Sequence, residues 1–89
     1  MHRRPDLAHA LQNLGVRFSA LGRPADALPV EQEAVTILRE LAAASPERYR
    51  PDLAASLTNM AEILEALQRP DDAEQASWEA QQLVGDASN

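Results

Sequence analysis

Apolar residues recur along this chain at helical spacing. Leu7, Leu11, Leu14, Phe18 and Leu21 follow at steps of three and four, which puts them on one face of an α-helix. Pro5 and Asp6 suit the opening turn and Gly22 the end, so the spacing predicts a first helix over 5–21. Ala8, Gly15 and Ala20 are small enough to let a neighbouring helix come close. A second stripe follows: Ala27, Val30, Ala34, Ile37 or Leu38, and Leu41. It predicts a helix over 24–44, entered at Pro24 with Asp26 in its first turn and stopped by Ser45-Pro46. Pro29 should loosen its start without breaking it. Glu47-Arg48-Tyr49 reads as a bridge. Leu53, Leu57, Met60, Leu64 and Leu67 mark a third helix over 51–67. Ala73, Ala76, Ala80, Leu83 and Val84 mark a fourth over 70–84, with Gly85 as its stop and 86–89 as a frayed tail.

The pattern is duplicated. Arg4-Pro5-Asp6-Leu7-Ala8 returns as Arg50-Pro51-Asp52-Leu53-Ala54, 46 residues further on. At that offset Leu11 meets Leu57, Asn13 meets Asn59, Arg23-Pro24 meets Arg69-Pro70, and Glu33-Ala34 meets Glu79-Ala80. A period of this length is the mark of stacked repeats. Turns of one or two residues force antiparallel neighbours. The expected fold is therefore all-α: one domain over 1–89, built of two stacked helical hairpins, repeat one at 4–45 and repeat two at 50–89.

Composition narrows the function. Aromatic content is 3%, suited to helices packed through Ala and Leu. A net charge of −6 disfavours nucleic acid, whose phosphates need a basic patch. Without cysteine there is no disulfide or thiolate chemistry, and no apolar run is long enough to span a bilayer. A soluble, cytoplasmic protein without cofactor or membrane partner is the expectation.

The chain resembles the tetratricopeptide repeat. Leu14-Gly15 stands three residues before Phe18, and Gly22, Ala27 and Ala34 follow. The second copy keeps Ala66, Ala73 and Ala80 but has Ala61, Leu64 and Gln68 for Gly15, Phe18 and Gly22. Leu11 and Leu57 replace a Trp usual in the family, and Glu31 and Ser77 replace a bulky aromatic. The opening Pro-Asp string, Leu11-Gln12-Asn13-Leu14, Leu57-Thr58-Asn59-Met60 and Pro29 are similar to the long form found in kinesin light chains and in bacterial multi-repeat proteins. The resemblance implies a right-handed solenoid fragment, a protein or peptide partner in a concave groove, and no catalysis. By analogy alone it also implies a scaffold or sensor role in a bacterial protein.

Nothing in the sequence forms a catalytic or metal-ligating constellation. His2 lies in the lead. His9 is three residues from Asp6, close enough for a side-chain contact, and has no further ligand at suitable spacing. Asp71-Asp72 is a pair of first-turn carboxylates facing a helix dipole. The resemblance places His9, Gln12, Asn13, Val16 and Ser19 of copy one on the groove, with Thr58, Asn59, Glu62 and Glu65 of copy two. Asn13 and Asn59 could hold the main chain of an extended peptide, since an amide both donates and accepts. They could equally brace the next helix of the stack. Glu62 and Glu65 favour a basic or polar peptide, and a chain without lysine lacks the basic clamp used on acidic tails.

Two units are fewer than a stack usually needs. Helix four should show an uncovered apolar flank, and Leu7, Leu11 and Phe18 should have limited cover at the other end. The chain is thus expected to be excised from a longer array, engineered, or self-associating as a dimer or higher oligomer. Association would run end to end or by hairpin exchange, with Trp78, Leu83 and Val84 as the self-association residues.

Overall fold

The computed structural model describes residues 4–88, with side chains to Gly85; His2 and Asn89 lie outside the described residues. Four helices follow in order: α1 (Pro5–Ala20), α2 (Pro24–Ala44), α3 (Pro46–Ala66) and α4 (Pro70–Ser88). α1 packs on α2, α2 on α3 and α3 on α4, while α1 meets α3 only lightly. Among the described residues there is no strand, and the fold is the expected pair of antiparallel hairpins.

Each helix opens on a proline, where the absent N–H would have had no intrahelical partner anyway. The two hairpin turns are copies of each other. Arg23 N–H donates to Phe18 O at 2.8 Å and Gly22 N–H to Ser19 O at 3.0 Å. Arg69 N–H donates to Leu64 O at 2.9 Å and Gln68 N–H to Glu65 O at 3.0 Å. This is the Schellman pattern, which requires a left-handed residue just past the helix. Gly22 supplies it at φ 72°, and Gln68 is forced into it at φ 61°. The arginine beyond each turn reaches the third residue of the next helix: Arg23 Nε to Asp26 Oδ2 at 2.7 Å, and Arg69 Nε to Asp72 Oδ2 at 2.9 Å. Exposed pairs of this kind contribute about 0.3–0.5 kcal/mol.

Two boundaries differ from the sequence expectation. α3 begins at Pro46, not at 51, so Glu47-Arg48-Tyr49 is a helical turn and not a bridge. Ser45 is the only residue between α2 and α3. Pro51 then stands inside α3 as Pro29 stands inside α2, each five residues after the proline that opens the helix. Both prolines are exposed, and the carbonyls they leave unbonded belong to the exposed Ala25 and Glu47, within reach of water. Starting the helix early also buries Tyr49. At the other end, Gly85 does not stop α4, which continues to Ser88.

Ile37 and Leu38 of α2 and Leu57 and Ile63 of α3 are the large apolar side chains fully withdrawn from solvent. Leu11 and Phe18 are half-buried against the same core. α4 lies on α3 through Ala73, Ala76 and Ala80. α2 has two neighbours and α4 one, so residues buried in α2 but exposed at the matching place in α4 must face α3. Leu28, Val35 and Leu38 meet that condition; their counterparts are Glu74, Gln81 and Val84. The flank of α4 expected to be apolar is therefore mostly polar.

Candidate binding groove

α1 and α3 run side by side, joined by side chains and not by close backbone packing. His9 Nε2 lies 3.0 Å from Asp52 Oδ2. Gln12 Nε2 donates to the Asp52 carbonyl at 3.1 Å and to the Ser56 hydroxyl. The contact anticipated between His9 and Asp6 is absent. Arg4 takes Asp6 instead, with Nη2 to Oδ2 at 2.8 Å, and that hydrogen bond holds the Asp6 carboxyl below the usual range. His9 and Gln12 thus link the two repeats.

Beyond Gln12 the helices part. A cleft of about 240 Å³ opens between them, lined by Val16, Ser19 and Ala20 of α1 and by Asn59, Glu62 and Ile63 of α3. The half-buried Asn59 amide carries both a donor and an acceptor, and the exposed Glu62 sets a negative charge beside the apolar Val16 and Ile63. Asn13 is exposed and does not line this cleft, because its place on α1 corresponds to the side of α3 that faces α1. Thr58 donates to the Ala54 carbonyl at 3.0 Å and lines a separate hollow with Ser77, Ala80, Gln81 and Val84. Glu65 is exposed outside both. Trp78, 59% exposed, lies in a surface cleft with Glu74, Gln75, Ser77 and Gln81. Leu83 packs partly on the core, and Val84 is exposed.

One functional-looking residue had no signal as such in the sequence. Glu31 of α2 is fully buried, and neither carboxylate oxygen has a hydrogen-bond partner of good geometry. Burial pushes its pKa up to about 7, with partial relief from the Ser56 hydroxyl. It sits over Gly15 of α1, where a Cβ would run into the Glu31 carboxylate and come within 3.4 Å of its Cδ. The only hint was the departure from the family pattern, an acid where an aromatic is usual. Among the described residues no cluster of His, Cys, Asp or Glu could hold a metal ion. No helix there is long and apolar enough to cross a membrane.

Tandem helical hairpins packed side by side define a helical-repeat protein. Residues 7–46, which span the first hairpin, match the family model described as tetratricopeptide repeat, and that match supports a tetratricopeptide-repeat family for the chain. No curated protein and no solved structure matches it. The repeat points to a protein–protein interaction module, and such repeats are typically non-enzymatic.

Proposed function

We propose that this chain, read as one domain of two repeats, is a non-catalytic module that holds an extended stretch of a partner protein in the α1–α3 cleft. The observation that carries the reading is the cleft itself: an amide, a carboxylate and apolar walls converge where the two helices separate. Asn59 grips the partner's main chain, Glu62 selects basic or polar side chains, and Val16 and Ser19 form the opposite wall. His9 and Gln12 fix the spacing of the helices beneath the bound segment. Asn13, Thr58 and Glu65 lie outside the cleft and take no part in this hold.

A random-peptide display selection against the whole chain tests this. Selected peptides should be enriched in Lys or Arg and bind Asn59→Ala and Glu62→Lys about tenfold more weakly, with Asn13→Ala unchanged. Undiminished binding to Asn59→Ala and Glu62→Lys would place the partner elsewhere.

A further inference from the structure

The interface between α2 and α3 is a template for the two ends of the molecule. Beneath α2, α3 presents Leu53, Met60, Ile63 and Leu67, with Leu53 only 4% exposed. At the matching places α1 presents Leu7, Leu14, Arg17 and Leu21. No helix covers them, and the leucines are 44%, 40% and 71% exposed. The opposite face of that template is Leu28, Glu31, Val35 and Leu38 of α2. α4 carries Glu74, Ser77, Gln81 and Val84 there. The register of α2 on α3 is antiparallel: Glu31 lies by Ser56, and Gln32 shares a surface cleft with Met60 and Leu64. That register sets Leu28 within a turn of Ile63. Where the interior has this apolar pair, the ends carry Glu74 and Arg17. Among the described residues neither has an ion-pair partner, while Arg4, Arg23, Arg39 and Arg69 all have one.

We infer that a second copy of the chain docks head to tail, α4 of one on α1 of the next, with Glu74 of one facing Arg17 of the other. The arrangement repeats the α2–α3 geometry across the junction. Leu7 and Val84 take the places of Leu53 and Leu38. The hollow of about 480 Å³ lined by Thr58, Ser77, Ala80, Gln81 and Val84 seats the leucines of the incoming α1. The contact is heterologous, so each added copy leaves a free α1 and a free α4, and the assembly is an open row. Opposite charge fixes the pairing, while a net −6 on every copy keeps it weak.

Sedimentation velocity of the whole chain over a concentration series tests the inference. Wild type should grow beyond a dimer as concentration rises. Arg17→Glu and Glu74→Arg alone should each weaken association at least about tenfold. Both side chains are exposed, so helicity by circular dichroism should stay unchanged. An equimolar mixture of the two variants restores opposite charge at both kinds of junction, native in one and reversed in the other, and should again grow beyond a dimer. A wild type that stays monomeric at the highest concentration overturns the inference, as does either variant associating like wild type. Association lost in Arg17→Glu but kept in Glu74→Arg also overturns it, in favour of α1 pairing with α1.

Discussion

The two hairpins agree at their turns and differ at their crossings. Both close on the same Schellman bonds and the same Arg-to-Asp pair. In the first, Gly15 makes room for Glu31; in the second, Ala61 stands where Gly15 was and Ser77 where Glu31 was. A small residue opposite a large one has been exchanged for two of middling size. The second difference lies outside the hairpins: α2 turns Leu28, Val35 and Leu38 to α3, and α4 turns Glu74, Gln81 and Val84 to water. Chain reversal is therefore set by local geometry common to both copies. What each copy does for its neighbours is set by a few positions free to diverge.

Truncations at matched positions should give unequal costs. Leu57 is enclosed between α2 and α4, whereas Leu11 is half-buried. Leu57→Ala should cost about 3 kcal/mol in urea unfolding and Leu11→Ala about 1 kcal/mol. Equal costs would mean that the second hairpin is no better enclosed than the first.

Glu31 makes the first hairpin sensitive to pH. Its folded pKa of about 7 lies above the ordinary 4.5, so the folded state holds the proton more tightly than the unfolded chain. The contribution to stability is whole below pH 4.5 and is lost as pH rises through about 7. Relative to Glu31→Gln, wild type should lose roughly 2–3 kcal/mol between pH 5 and pH 8, read from urea midpoints. Parallel pH profiles would show that the carboxyl is solvated.

The crossing itself can be converted from one hairpin type to the other. Gly15→Ala should cost about 1 kcal/mol in wild type, the clash with Glu31 outweighing the gain in helix propensity. In the Glu31→Ser background, which copies the second hairpin, the same change should stabilise by about 0.5–1 kcal/mol. The same sign in both backgrounds would refute the pairing. At the turns, Gln68→Gly should stabilise by about 1 kcal/mol and Gly22→Gln should destabilise by a similar amount, because both positions have positive φ.

Helix order, hairpin pairing and the apolar stripes were legible in the sequence because steps of three and four and a 46-residue offset survive divergence. The start of α3 was not, because Ser45-Pro46 ends one helix as readily as it opens the next, and local sequence alone does not separate the two. The Pro46–Pro51 spacing repeats that of Pro24–Pro29 within α2 and could have revealed it. Of the groove, Asn59, Val16, Ser19 and Glu62 were nameable from the resemblance. The partners of His9 and Gln12 were not, since Asp52 and Ser56 are brought to them by the packing of one repeat on the other. Glu31 stayed hidden for the same reason: a charge on an amphipathic helix reads as solvated until both flanks are known to be covered.

The joint between α2 and α3 has no slack. For two chains to trade hairpins, Ser45 would have to straighten until α2 ran on into α3 as one rod. Pro46 would penalise that rod by about 3 kcal/mol, since its ring crowds the carbonyl of Ala42 and it offers no N–H to bond there. Pro46→Ala is accordingly the variant in which intertwined dimers should first emerge on size-exclusion chromatography. The imino acid at this corner thus weights each polypeptide toward folding upon itself.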